Sequence, residues 1–244
     1  MADTVFHVIG PGRGGTSLLF GLLDAHPDCE MVGERLSIGL LMAKNAAHDD
    51  LPLPDRTIRR VDDFLAACYG AARSSPAKLW GHKSTTEQIF GLNFPERLEE
   101  RFDPEAYFIE AVRDSPIIFI IRDGRTCVRS KVRRTGQSVE TAIRGWKYSV
   151  ALLSAFRARH GKVLQVRMED LVTHPADALR SICAFLGLEY TDAMLVGTKS
   201  LKMRSDYRQP GFDLSVIEVG EPQAWQAELE PELSTLGYTT PSSS

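Results

Sequence analysis

Gly10-Pro11-Gly12-Arg13-Gly14-Gly15-Thr16-Ser17 decides how the rest of this chain is read. Before it, residues 5–10 (Val-Phe-His-Val-Ile-Gly) form a β-rich run; after it, Leu18, Leu19, Leu22 and Leu23 share a helical face up to Pro27. A glycine-rich loop between a strand and a helix turns successive N–H groups inward, and the helix N-terminus adds about half a positive charge. The stretch therefore predicts an anion cradle. Its spacing follows GxxxxGK[ST], except that Thr16 stands in place of the lysine. A nucleoside triphosphatase needs that lysine on the β- and γ-phosphates, so ATP hydrolysis is disfavoured. The loop's one cation is Arg13.

Working outward, strand and helix patterns alternate. Residues 29–32 read as a brief second strand, 46–57 as a loop interrupted by two prolines, and Val61, Phe64, Leu65 and Cys68 as a helical face. Residues 78–82 and 163–166 read as further strands. Ile117-Ile118-Phe119-Ile120-Ile121, all apolar after Pro116, has the composition of a parallel strand buried on both faces. A long helix is predicted from Ser138, with Trp146 on its apolar stripe, and another over 176–186 with Gly187 just past its end. Strands separated by helices imply βαβ units, hence a parallel sheet covered on both sides.

The 244 residues carry 29 Lys plus Arg against 32 Asp plus Glu, a net charge of −3, which speaks against wholesale nucleic-acid binding. With 43% hydrophobic and 25% charged residues the composition is that of a globular protein. The sequence holds no apolar run long enough for a membrane span and no secretory pattern, so a cytoplasmic protein is expected. Cys29, Cys68, Cys127 and Cys183 are widely spaced, which predicts reduced, buried thiols and neither a metal site nor a disulfide framework.

A second anion site is suggested by Arg122-Asp123-Gly124-Arg125-Thr126-Cys127-Val128-Arg129-Ser130, directly after the buried strand. Continued as a helix, Arg122, Arg129 and Arg133 share a face with Ser130 beside them. Cations at the C-terminal end of a parallel strand point into the crevice where open α/β sheets bind ligands. The strand ends in Arg122, without the aspartate that would coordinate magnesium. Two anion sites without a metal ligand describe a nucleotide with phosphates at both ends.

These two segments, together with Leu22-Leu23-Asp24-Ala25-His26-Pro27-Asp28 and Val166-Arg167-Met168-Glu169-Asp170-Leu171-Val172-Thr173-His174-Pro175, resemble the sulfotransferases that use 3′-phosphoadenosine 5′-phosphosulfate (PAPS). The closest pattern is that of the tyrosylprotein sulfotransferases and their soluble bacterial relatives, over residues 5 to about 238. The resemblance implies a P-loop NTPase-like three-layer α/β sandwich with a central parallel sheet, one domain over 1–240 and a frayed tail at 241–244. It implies that Arg13, Gly14, Gly15, Thr16 and Ser17 bind the 5′-phosphosulfate, and that Arg122, Ser130 and Arg134 bind the 3′-phosphate. Arg13 would also steady the bridging oxygen. Glu34, twenty-one residues after Arg13, matches the catalytic glutamate. His82 is the rival base, Lys83 matches a lysine that reaches the leaving group, and Ser205 resembles a late serine near the sulfate.

The chain departs from the pattern at Gly14, which replaces a serine, and at Met168, which replaces a tyrosine near the nucleotide. Arg208 stands as a substitute for a missing lysine, and the membrane anchor of the tyrosylprotein enzymes is not expected. These differences favour a small-molecule or glycoside acceptor, with a hydroxyl or amine as nucleophile, over a peptide tyrosine. Residues 35–75 and 200–225 are the expected pocket walls, with 52–54 as a lid. The competing expectations are a P-loop kinase of nucleotides or small molecules, and a nucleotide-binding module without catalysis. Oligomeric state is not legible.

Overall fold

The computed structural model describes residues 4–42, 48–93 and 102–238. Five strands, β1 (Thr4–Gly10), β2 (Cys29–Val32), β3 (Leu79–Thr85), β4 (Ile117–Ile121) and β5 (Val163–Arg167), form one all-parallel sheet in the order β2-β3-β1-β4-β5. The helices are α1 (Thr16–Asp24), α2 (Arg35–Leu40), α3 (Leu53–Ser74), α4 (Thr86–Phe90), α5 (Pro104–Ala111), α6 (Gly124–Thr135), α7 (Val139–Arg159), α8 (Met168–Thr173), α9 (Pro175–Leu186) and α10 (Glu230–Thr235).

β4 shows why the sheet needs two covering layers. All five of its residues are buried: Ile117, Phe119 and Ile121 join the core under α3, α5 and α7, while Ile118 and Ile120 join the core under α1, α8 and α9. Side chains alternate across a strand, so each isoleucine contributes about 1.5–3 kcal/mol of burial to one layer or the other. The chain leaves β1 into α1 on one face and leaves β4 into α6 on the other. That divergence opens a crevice at the carboxyl ends of two adjacent strands, the place where open α/β sheets bind ligands.

Three expectations need correction. The loop expected over 46–57 ends early, because α3 begins at Leu53 with Pro54 in its first turn. Proline is tolerated there, since first-turn N–H groups lack intrahelical partners anyway. The lid expected at 52–54 is therefore the start of a helix. β3 runs three residues beyond the predicted 78–82, and the short helices α4 and α5 are not among the expected elements.

Candidate active site

The glycine-rich loop of residues 10–17 joins β1 to α1. Gly15 caps α1 with φ 99°, and a Cβ there would lie 2.2 Å from Met168 Sδ, so glycine is required twice over. Arg13 adopts φ 71° without being glycine, a strained conformation that its surroundings must hold. The N–H of Gly14 donates to Pro11 O at 2.8 Å, which closes the turn and removes Gly14 from the set of free donors. Arg13 Nε donates to Ser130 Oγ at 3.2 Å, and its guanidinium lies 5.1 Å from the centroid of the Tyr207 ring.

Arg122, at the end of β4, is buried, and its side chain reaches the same loop: Nη1 donates to Arg13 O at 2.9 Å and Nε to Thr126 Oγ1 at 2.8 Å. A third bond runs from Nη2 to Val216 O. Burial lowers the pKa of this guanidinium from its ordinary value, yet it stays a cation. Of its five N–H groups, three are engaged here and the other two have no partner among the described residues. The two predicted anion sites thus meet in one cleft of about 750 Å³.

Glu34 follows β2 at the N-cap of α2. Its carboxylate pairs with Lys83 at one oxygen and accepts from Gln88 Nε2 at 2.7 Å at the other. Lys83 Nζ also lies 3.3 Å from Ser17 Oγ, so a single ammonium joins the carboxylate to the glycine-rich loop. Glu34, Ser17 and Tyr207 also line a second cavity of about 550 Å³ beside the cleft.

His82 is not brought to the cleft. It neighbours Lys83 on β3 and therefore faces the other side of the sheet, fully buried among Trp80, His7 and Phe64. Burial, then the neighbouring His7 and Lys83, hold its pKa well below the ordinary histidine value. Ser205 is exposed and does not line the cleft; its neighbours Asp206 and Tyr207 do. Arg134 pairs with Asp206 across the rim, and Arg133 is exposed. Arg208 donates to the carbonyls of Met203 and Leu201 and is spent within its own segment. Trp146 is core, as its place on the apolar stripe predicts, and its Nε1 donates to Arg122 O at 3.0 Å.

Pattern reading missed Glu87, Gln88 and Lys131. Glu87, in the first turn of α4, pairs with Lys131 of α6 and accepts the Gly12 N–H at 3.1 Å. Thr85-Thr86-Glu87-Gln88 fits the capping-box pattern, and the Gln88 side chain accepts the Thr85 N–H at 2.9 Å. That signal marks a helix start and would have placed both side chains at the strand end. Beyond them, the cleft continues between α4 and α7, where Phe90 and Tyr148 meet edge to face at 5.0 Å and Arg144 lines the wall.

The fold is that of a parallel α/β protein with a strand-loop-helix that lacks the hydrolase lysine and a cleft lined by Arg13 and Arg122. The sequence model of the sulfotransferase family matches residues 6–192, and the chain belongs to that family. The protein-tyrosine sulfotransferase of Drosophila melanogaster is 24% identical over 94% of this chain and 50% of its own length. Protein-tyrosine sulfotransferase 1 of Danio rerio is 25% identical over 76% of this chain and 54% of its own. The chain thus spans about half the length of these relatives. Among solved structures, the sulfotransferase domain from the curacin biosynthetic pathway superposes with a TM-score of 0.68 at 16% identity, covering 99% of each chain. A mouse sulfotransferase complexed with PAP superposes at 0.52 with 13% identity, covering 99% of this chain and 87% of that one. Among the described residues, no helix is long and apolar enough to cross a membrane.

Proposed function

We propose that the protein transfers a sulfuryl group from PAPS to the hydroxyl of a small-molecule or glycoside acceptor. The observation that carries this reading is that the glycine loop, buried Arg122 and Glu34 line one cleft, while Lys83, from the adjoining cavity, bonds both Glu34 and Ser17. The residues fit such a donor. Thr16 and Ser17 stand at the N-terminus of α1, where backbone N–H groups attract a 5′-phosphosulfate. Arg122, with two N–H groups to spare, and Ser130 suit the 3′-phosphate, and Arg134 can join them by exchanging Asp206 for that phosphate.

The bound donor supplies an activated sulfuryl group. Transfer is an in-line displacement with a loose transition state, so the protein's work is positioning and charge stabilisation. Glu34 takes the proton from the acceptor hydroxyl as the new S–O bond forms. Each carboxylate oxygen has two acceptor sites, so its bonds to Lys83 and Gln88 leave room for that hydroxyl. Arg13 and Lys83 stabilise charge on the bridging oxygen as its bond to sulfur breaks. The products are the sulfated acceptor and adenosine 3′,5′-bisphosphate. Cavities of this volume suit a compact acceptor.

Two measurements test the reading. Adenosine 3′,5′-bisphosphate should raise the melting temperature more than ATP with magnesium, because only a ligand that binds the folded state stabilises it. Sulfur-labelled PAPS, incubated with a panel of alcohols, phenols and sugars, should yield labelled product. Preferential stabilisation by magnesium-ATP would return the protein to the kinase reading.

A further inference from the structure

Carboxylates in the wall of a cleft that takes an anion pose a problem; of Glu34, Asp206 and Glu87, which line it, Glu87 has no part in the transfer chemistry above. It is not paired with a donor-binding arginine but with Lys131, whose side chain is 9% exposed and which directly follows Ser130 on α6. We infer that Glu87 is a positioning residue for the phosphate loop and that Lys131 neutralises it so that the loop can still take an anionic donor. The inference rests on the donor reading above and adds two residues to it.

The contacts support this division of labour. Gly12 precedes Arg13, whose left-handed backbone is unfavourable for a residue with a Cβ and must be held from outside. Three anchors do so from successive peptide groups. Glu87 accepts the Gly12 N–H at 3.1 Å, Cys127 Sγ approaches Gly12 O at 3.6 Å, and Arg122 Nη1 donates to Arg13 O. Only the first anchor brings negative charge. A neutral acceptor could receive the same N–H, but a carboxylate also fixes Lys131 and thereby ties α4 to α6. Burial opposes ionisation of Glu87; the Lys131 ammonium and the Gly12 N–H outweigh it and hold the carboxyl below its ordinary range. Gly145 of α7 leaves space for this ammonium, since a Cβ there would lie 3.2 Å from Lys131 Nζ.

The test is a double-mutant cycle read by ligand binding, with adenosine 3′,5′-bisphosphate and inorganic pyrophosphate as separate probes on the full chain. Lys131→Met leaves Glu87 uncompensated and should weaken both anions by about tenfold or more. Glu87→Gln keeps a carbonyl acceptor for Gly12 and should change binding by no more than about threefold. The double variant should bind better than Lys131→Met alone, returning close to Glu87→Gln. A purely structural role for the pair predicts instead that the double variant binds as poorly as Lys131→Met or worse, and that result overturns the inference. If Lys131→Met does not fold, Lys131→Gln closes the same cycle. Binding of pyrophosphate with the expected rescue, but no binding of the bisphosphate, would refute the PAPS reading while leaving this one standing. Failure of the wild-type protein to bind either anion would defeat both.

Discussion

The cleft at the carboxyl ends of the strands and the core layer under α3 bury ionisable side chains in opposite ways. On the cleft side, Lys83 is paired with Glu34, Lys131 with Glu87, and Arg122 holds three acceptors. On the core side, His82 and His7 sit among Trp80 and Phe64, and His7 Nε2 has no hydrogen-bond partner among the described residues. Burying a charge is costly unless it is paired, so the cleft keeps its charges by pairing them and the core keeps its rings neutral. His82 and Lys83 are neighbours in sequence. The direction a side chain takes from the strand decides whether it can serve the chemistry, and the residue type does not.

The strongest way to break this comparison is to remove the proton acceptor on the cleft side. Glu34→Gln should lower kcat by about 10²–10⁴-fold, the usual contribution of general-base catalysis, with adenosine 3′,5′-bisphosphate binding changed by less than about threefold. Turnover at the wild-type rate would remove Glu34 from the mechanism. His82→Gln, by contrast, should leave the pH dependence of turnover in place.

Acid should expose the other side. Burial, and secondarily His160, lowers the His7 pKa from 6.5 to about 4. The unfolded chain therefore takes up a proton below pH 6.5 that the folded protein refuses until about pH 4, so stability falls as pH drops through that window. At 1.36 kcal/mol per unit the loss from His7 approaches about 3 kcal/mol, and His82 acts in the same direction. Urea unfolding at pH 7 and pH 5 would read it; equal midpoints would show that the rings are not held neutral.

The smallest expected effect lies at the cleft rim. Asp206 pairs with Arg134, which is 43% exposed, so the bond is screened by solvent. Asp206→Asn should free Arg134 and tighten bisphosphate binding by no more than about fivefold, within the range of roughly 0–1 kcal/mol for exposed pairs. Weaker binding would mean that Asp206 supports the site instead of competing for it.

Much of the fold was readable because its signals are local. Residues 117–121 are apolar throughout, the glycine loop stands between a strand and a helix, and Ser138 caps the long helix by accepting the Thr141 N–H. Pro52 and Pro54 hide the start of α3, because proline reads as a helix breaker although its lost N–H costs nothing in a first turn. Glu34 was reached through family likeness alone; nothing in its neighbours predicts that Lys83 and Gln88 will converge on it from β3 and α4.

The sequence by itself determined the parallel α/β layering, the glycine loop between strand and helix and the cationic segment after β4, because each depends on the order of residues within one short stretch. Tertiary structure decided which side chains share the cleft. Glu34 meets Lys83 across 49 positions, Glu87 meets Lys131 across 44, and Arg122 meets the loop across 109. No periodicity carries such distances. They are set by how strands pair and which face each residue turns outward, and a step of one residue separates a buried neutral histidine from the lysine that joins the carboxylate to the glycine loop.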